Sequence, residues 1–171
     1  GEKYTMARSA FVTGSTGFVG LNLVQKLKND GWDVTALHRA SSDLSFLSRF
    51  SPNLAQGEIT DAASMLKALP TGIDTLFHVA GNTNMWRRRN AQQTRDNVEG
   101  TRNVVEAAIA KGVRRLVVTS TISAYGPVTG AITEDTPSLA ATSTVNYERT
   151  KWEAQEIARA ALKRGLEVVI M

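Results

Sequence analysis

Cysteine is absent from all 171 residues of this sequence. Disulfide bonds and thiolate metal ligands are therefore excluded, and the absence fits a reducing compartment, so we expect a cytoplasmic protein. No apolar run approaches the roughly 20 residues that a membrane-spanning helix needs, and the N-terminus has no signal-peptide pattern. We predict neither a membrane partner nor a metal site.

The composition is otherwise that of a soluble globular domain. Apolar residues make up 42% of the chain and charged residues 21%, and 171 residues suit a single domain. The net charge of +4 suits an anionic ligand without selecting one. We expect Met6 to be the natural start, with residues 1–5 an added leader. The chain stops within a strand-like segment, so we expect it to be the N-terminal part of a longer protein.

Apolar strand-like runs alternate with helix-like stretches along the whole chain. Strands are predicted at residues 9–13, 33–38, 54–59, 74–81, 114–120 and 166–171. Helices are predicted from the glycine-rich segment to Gly31, near 44–50, from Asp61 as the N-terminal cap to Leu69, and over roughly 92–111 and 146–164. Strict alternation predicts an α/β fold with a doubly wound parallel sheet and right-handed crossovers.

The segment "VTGSTGFVG" lies between the first strand and the first helix. Its glycines, Gly14, Gly17 and Gly20, suit a tight turn, a close backbone approach to a pyrophosphate and close packing of helix on strand. The unpaired N–H groups and the dipole of the helix favour an anion there. The position of the triplet predicts a Rossmann-type dinucleotide site.

The second strand indicates which nicotinamide cofactor would bind. An acid at its end would bind the ribose 2′-hydroxyl of NAD, but the strand ends "LHRASS". Arg39, followed by Ser41 and Ser42, offers charge-assisted bonds to a 2′-phosphate. We therefore predict NADP; NAD remains possible, and an exposed surface arginine is the alternative interpretation.

The G-x-x-G-x-x-G spacing, read with "YERTK" and "NVEGT", resembles the extended short-chain dehydrogenase/reductase family, also called the NAD-dependent epimerase/dehydratase family. The resemblance covers essentially the whole chain. It implies that residues 1–171 are the NAD(P)-binding domain and that the C-terminal part supplying most of the substrate pocket is absent from it. The implied cofactor contacts are Gly14, Thr16, Gly17, Phe18, Val19, Arg39, Glu58, Ile59, Ala80, Gly81, Thr119, Tyr147 and Lys151.

The resemblance also implies a catalytic trio of Thr121, Tyr147 and Lys151. Tyr147 and Lys151 are four residues apart and share a helix face, where the ammonium favours the phenolate. The third hydroxyl falls on Thr121, with Ser120 and Ser123 as alternatives if the register differs by a residue or two.

Other polar residues are expected to be structural. Glu58 is one carbon longer than the family's usual aspartate, so its side-chain contact is in doubt, whereas the backbone contact of Ile59 is retained. His78 is expected to be a hydrogen-bonded core histidine, and Asn97 to tie its helix to a neighbouring strand. The arginines of "MWRRRN" are interpreted as a solvated surface, so no nucleic-acid partner is predicted.

Three functions follow as hypotheses. The first is an NADP(H)-dependent oxidoreductase of a small carbonyl or secondary alcohol, similar to dihydroflavonol-reductase-like members. The second is a nucleotide-sugar epimerase or dehydratase that retains its cofactor, and the third is a non-catalytic NADP-binding redox sensor. A homodimer is expected through the last two long helices, which carry small and apolar residues: Val98, Ala107, Ala108, Ala154 and Ala158.

Overall fold

Six parallel strands form the centre of the molecule in a computed structural model, which describes residues 8–79, 89–119 and 145–171. The sheet order is β3-β2-β1-β4-β5-β6, which confirms the predicted doubly wound α/β fold. Between β1 and β4 the order reverses, and ligands of such sheets bind at the carboxyl ends of the strands beside this point. The strands are β1 (Ser9–Thr13), β2 (Asp33–His38), β3 (Asn53–Gln56), β4 (Thr75–His78), β5 (Arg115–Val118) and β6 (Glu167–Ile170).

Helices cover both faces of the sheet. The segment predicted as one helix over 92–111 begins earlier and contains a π-helical turn, Arg95–Glu99, between α3 and α4. The segment predicted over 146–164 ends in a 3-10 turn, Ala161–Arg164, and another 3-10 turn spans Leu47–Phe50. The helices are α1 (Phe18–Asn29), α2 (Ala62–Ala68), α3 (Asn90–Thr94), α4 (Gly100–Ala110) and α5 (Asn146–Ala160).

The side chains on the two faces of β1 belong to two separate hydrophobic clusters. Ala10 and Val12 pack with Val24 and Leu27 of α1, whereas Phe11 belongs to the cluster on the other face of the sheet. Successive side chains of a strand point to opposite faces, so a strand covered on both sides must be apolar throughout. This explains the unbroken apolar run that precedes the glycines.

The third strand is shorter than its predicted span of 54–59. It ends at Gln56, and the backbone of Glu58 is bound instead by the hydroxyl of Ser64 in α2. Asp61 caps α2 as predicted, since its carboxylate accepts bonds from the N–H groups of Ala63 and Ser64. Glu58 and Ile59 therefore lie in a loop beyond the strand.

The small residues expected at a dimer contact are already buried inside the chain. Ala107 and Ala108 of α4 and Ala154 and Ala158 of α5 are all at most 2% exposed, and Val98 is also buried. Ala107, Ala108 and Ala158 belong to the hydrophobic cluster of this one chain, so other side chains would have to form the contact. The homodimer stays a prediction.

Within residues 8–79, 89–119 and 145–171 no helix is both long enough and apolar enough to cross a membrane. Nor do these ranges contain a cluster of three or more histidine, aspartate or glutamate side chains that could hold a metal ion.

Candidate dinucleotide site

The glycine segment forms a tight turn directly in front of α1. Gly14 has a φ of 65°, a left-handed conformation that suits glycine. A Cβ on Gly20 would lie 1.9 Å from the Gly14 carbonyl oxygen, so only glycine lets α1 approach the turn this closely. Gly17 differs, because a Cβ there would make an ordinary 3.5 Å contact with that oxygen. Two of the three glycines are thus required by the chain itself.

The N-terminus of α1 is open to a ligand. No side chain caps it, and its first turn carries no acidic residue. The first N–H groups of a helix have no partner within the helix, and its dipole makes this end partly positive. Phe18 and Val19 are 85% and 57% exposed here although both are apolar. An anion such as a phosphate fits this end of α1.

A buried hydroxyl holds the turn against the next strand. Ser15 is fully buried, and its Oγ donates a 2.8 Å hydrogen bond to the carbonyl oxygen of Leu37 in β2. Sequence reasoning missed this residue, because a serine between glycines in a turn carries no signal of burial. The bond fixes the spacing between the glycine turn and the end of β2.

A cavity of about 550 Å³ lies over the glycine turn and the ends of the neighbouring strands. It brings together the predicted residues that come from the glycine segment, from the end of β2 and from the loop after β3. The lining residues are Gly14, Thr16, Gly17, Phe18, Val19, Gly20, Leu37, His38, Arg39, Ser42, Gly57, Glu58, Ile59, Val79 and Asp96.

Arg39 follows β2 and presents an exposed side chain to this cavity. Its backbone N–H donates to Ser42 Oγ at 2.9 Å, and the Ser42 N–H donates to the Arg39 carbonyl oxygen at 3.1 Å. The next acidic residue along the chain is Asp43. Its carboxylate accepts hydrogen bonds from both the hydroxyl and the N–H of Ser45. These bonds, the hydroxyl first, lower the pKa of Asp43.

Ile59 forms a wall of the cavity and is held from two sides. Its carbonyl oxygen accepts a 2.8 Å bond from Asn103 Nδ2 of α4. The side chain of Ile59 packs closely on Gly100 of α4. A Cβ on residue 100 would lie only 2.7 Å from Ile59 Cδ1. The position of α4 therefore sets the position of this wall.

Asp96 lines the cavity from the π turn and was missed by sequence reasoning. One of its carboxylate oxygens accepts a 2.7 Å bond from Gln92 Nε2. Asn97, the next residue, is buried and donates to Thr150 Oγ1 of α5 at 3.0 Å. Asn97 thus has a structural bond, as predicted, and the partner seen here is a helix. The period of an ordinary α-helix gives no sign of a π turn, so neither placement could be predicted.

Tyr147 and Lys151 lie one turn apart on α5. Lys151 is only 7% exposed, and burial lowers the pKa of its ammonium group. Tyr147 is half-buried. Thr150 lies between them, donating to the Tyr147 carbonyl oxygen at 3.1 Å and accepting from Asn97, which anchors this turn of α5 to the π turn.

His78 is a hydrogen-bonded core residue, as predicted. It is 3% exposed, with Nδ1 2.8 Å from Thr13 Oγ1 and Nε2 2.9 Å from Thr101 Oγ1. Burial, and secondly the positive charge of Lys151, lower the pKa of His78 to about 3. The imidazole is therefore neutral at physiological pH.

The remaining predicted site residues lie near or beyond the ends of β4 and β5. The N–H of Thr119 donates to the His78 carbonyl oxygen at 3.3 Å, which places Thr119 at the end of β5 beside β4. Ala80, Gly81 and Thr121, together with the alternatives Ser120 and Ser123, fall outside the described residues.

Comparison with known proteins agrees with this geometry. Residues 10–171 match the model of the NAD dependent epimerase/dehydratase family. The chain belongs to that family. A protein of Synechocystis sp. named "Putative dihydroflavonol 4-reductase" is 34% identical over 97% of this chain and 48% of its own length. "Sterol demethylase protein B" of Methylococcus capsulatus is 35% identical over 95% of this chain and 50% of its own length.

A solved structure shows the same fold. MoeE5 in complex with UDP-glucose and NAD is 31% identical and superposes with a TM-score of 0.77, covering 95% of this chain and 52% of MoeE5. The chain thus spans about half the length of these relatives. The family is described as NAD dependent epimerases and dehydratases, and its relatives include proteins named as a reductase, a dehydrogenase and a dehydratase.

Proposed function

We propose that the cavity binds a nicotinamide dinucleotide whose pyrophosphate lies at the N-terminus of α1. The uncapped first turn of α1 and the left-handed Gly14 support this placement. Glu58 and Ile59 are proposed to contact the adenine from the opposite wall. Ala80, Gly81 and Thr119, which follow β4 and β5 in the sequence, are proposed to contact the remainder of the cofactor.

We propose NADP rather than NAD, and Arg39 carries this choice. Its exposed side chain lines the cavity at the end of β2, where a carboxylate would instead favour the 2′-hydroxyl of NAD. The carboxylate of Asp43, four residues later, accepts two bonds from Ser45. A guanidinium at this position suits a 2′-phosphate.

The proposed reaction is the reversible reduction of a small-molecule carbonyl to a secondary or primary alcohol. The hydride for the carbonyl carbon would come from the cofactor when it is bound. Tyr147 donates its phenolic proton to the carbonyl oxygen, and Lys151 stabilises the resulting phenolate and holds the ribose hydroxyls of the nicotinamide half. Thr121 is proposed to hold the substrate oxygen.

A second candidate is a nucleotide-sugar epimerase or dehydratase. The likeness to MoeE5, solved with UDP-glucose and NAD, favours it. Such an enzyme oxidises and then reduces its own substrate, so it consumes no NADPH overall. Retention of the cofactor through purification without net NADPH oxidation would support this candidate over the reductase.

Replacing Arg39 tests the cofactor proposal. A charge-assisted, partly exposed bond contributes about 1.5–3 kcal/mol, so Arg39→Ala should weaken NADPH binding about ten- to a hundredfold. NADH binding should hardly change, because its ribose has no phosphate. Arg39→Asp should go further and reverse the preference. Both cofactors are titrated by fluorescence at one ionic strength.

Arg49→Ala is the matched control. Arg49 is also exposed and also lies between β2 and β3, but it stacks over Phe46 and does not line the cavity. It should change neither affinity. Equal losses of NADH and NADPH binding in Arg39→Ala would show that Arg39 has a structural role and would contradict the choice of NADP.

A further inference from the structure

We propose that His78 is a positioning residue that joins the glycine turn to α4 and thereby sets the separation of the two walls of the dinucleotide cavity. This inference rests on the proposed function, since it concerns the affinity of the same cavity. The histidine itself does not line the cavity. It acts through two threonines, one on each side of its ring.

The first link runs to the glycine turn. His78 Nδ1 lies 2.8 Å from Thr13 Oγ1, and Thr13 is the residue immediately before Gly14. The same hydroxyl accepts a 3.1 Å bond from the N–H of Val79, which lines the cavity. A displacement of Thr13 would therefore move both Gly14 and Val79.

The second link runs to the opposite wall. His78 Nε2 lies 2.9 Å from Thr101 Oγ1 on α4. Thr101 follows Gly100, which touches the side chain of Ile59, and Asn103 of the same helix binds the Ile59 carbonyl oxygen. A displacement of α4 at Thr101 would therefore shift the Ile59 wall.

A neutral imidazole suits this double link. It offers one N–H donor and one acceptor at opposite sides of a rigid ring, and each threonine hydroxyl can serve either nitrogen. The surroundings favour the neutral form, because both burial and the charge of Lys151 lower the pKa of His78 to about 3. An apolar side chain of similar size would form neither of these two bonds.

Two conservative variants separate the links. The amide of asparagine reaches the position of Nδ1, so His78→Asn keeps the link to Thr13 and loses the link to Thr101. The longer glutamine reaches the position of Nε2, so His78→Gln keeps Thr101 and loses Thr13. Each variant should weaken NADPH binding about tenfold, the equivalent of one lost hydrogen bond.

ADP is the second probe, because it lacks the nicotinamide half that the proposed function places at Lys151. We expect the His78 variants to lose as much affinity for ADP as for NADPH. This result would show that the substitutions act on the walls of the cavity. A loss confined to NADPH would mean that the substitutions act through Lys151, and it would overturn the inference.

Ser9→Ala is the matched control for destabilisation. Ser9 and Asp74 exchange hydrogen bonds between β1 and β4 at the opposite end of the same strand pair. This variant should lower the melting temperature and leave both affinities unchanged. If the His78 variants only lower the melting temperature in the same way, with unchanged affinities, the role is structural and the inference is wrong.

Three further outcomes are decisive. If neither His78 variant folds, Thr101→Val removes one hydroxyl with little change of shape; a tenfold weaker binding of ADP supports the inference and an unchanged affinity contradicts it. If unaltered protein binds neither ADP nor either coenzyme, the proposed function fails and this inference fails with it. Normal binding by the unaltered protein and by all variants contradicts the inference alone.

Discussion

The burial of Lys151 is the residue-scale feature that bears most directly on chemistry. Burial disfavours the charged ammonium and lowers its pKa. The same low polarity strengthens the field of the ammonium at a nearby phenolate. Tyr147, one helical turn away on α5, is the phenol on which this charge would act.

Tyr147→Phe tests this assignment. In the complete enzyme the variant should lose about 100- to 10,000-fold in turnover, the range typical of a general acid–base group. NADPH affinity should be nearly unchanged, because the substitution removes only the hydroxyl that serves the substrate oxygen. Steady-state kinetics and a coenzyme titration measure the two effects. A loss in turnover of less than about tenfold would assign the proton transfer to another residue.

Sequence reasoning at this scale succeeds where the chemistry of a side chain is tied to a motif. Arg39 lines the cavity after β2, as its position predicts, and Glu58 and Ile59, which the family resemblance implies, line the same cavity. Ser15 and Asp96 were missed because their roles depend on burial and on helix register, which no local pattern records. The expectation that His78 is a core residue was correct, but its two threonine partners lie 65 and 23 residues away in sequence.

At the scale of elements, each of the three glycines in the turn before α1 serves a different purpose. Gly14 supplies a left-handed turn and Gly20 a close approach to it. The chain has room for a side chain at Gly17, with no contact nearer than 3.5 Å. We therefore attribute the glycine at this position to the ligand.

Gly20→Ala should accordingly reduce mainly the stability of the fold, and Gly17→Ala mainly the affinity for the dinucleotide. Gly20→Ala should lower the free energy of unfolding by about 1–3 kcal/mol or more, because its Cβ overlaps backbone that must move. Gly17→Ala should cost about 1 kcal/mol or less, as expected for alanine at a helix N-cap, yet weaken dinucleotide binding at least tenfold. Urea unfolding and coenzyme titration of both variants measure this contrast. Unchanged NADPH affinity in Gly17→Ala would contradict the placement of the pyrophosphate.

Element types and order were predictable, but several boundaries were not. The apolar runs and the glycines after each helix fixed the alternation of strands and helices. The π turn at Arg95–Glu99 was not predictable, because it accommodates tertiary contacts such as the bond from Asn97 to Thr150. Likewise β3 ends at Gln56 because Ser64, in the following helix, competes for the backbone of Glu58.

At the scale of the whole molecule, the neutral His78 makes stability depend on pH. Its folded pKa is about 3, whereas the unfolded chain has the usual value near 6.5. Between these values the unfolded state binds a proton that the folded state does not. The stabilisation is therefore complete above about pH 6.5 and is lost progressively as the pH falls toward 3.

Urea unfolding at two pH values measures this effect. Between about pH 7 and pH 5 the unaltered protein should lose about 2 kcal/mol more stability than His78→Gln, which has no imidazole at this position. The other titrating groups are common to both proteins and cancel in the comparison. Parallel pH profiles for the two proteins would show that folding does not lower the pKa of His78.

The central claim for the whole molecule is that this chain forms an NADP-binding domain. The most direct measurement is the dissociation constant of NADPH and of NADH for the unaltered protein, by coenzyme fluorescence at fixed ionic strength. The account predicts that both bind and that NADPH binds about ten- to a hundredfold more tightly, as one charge-assisted bond to the 2′-phosphate requires. Equal affinities would contradict the choice of NADP, and binding of neither would contradict the dinucleotide site itself.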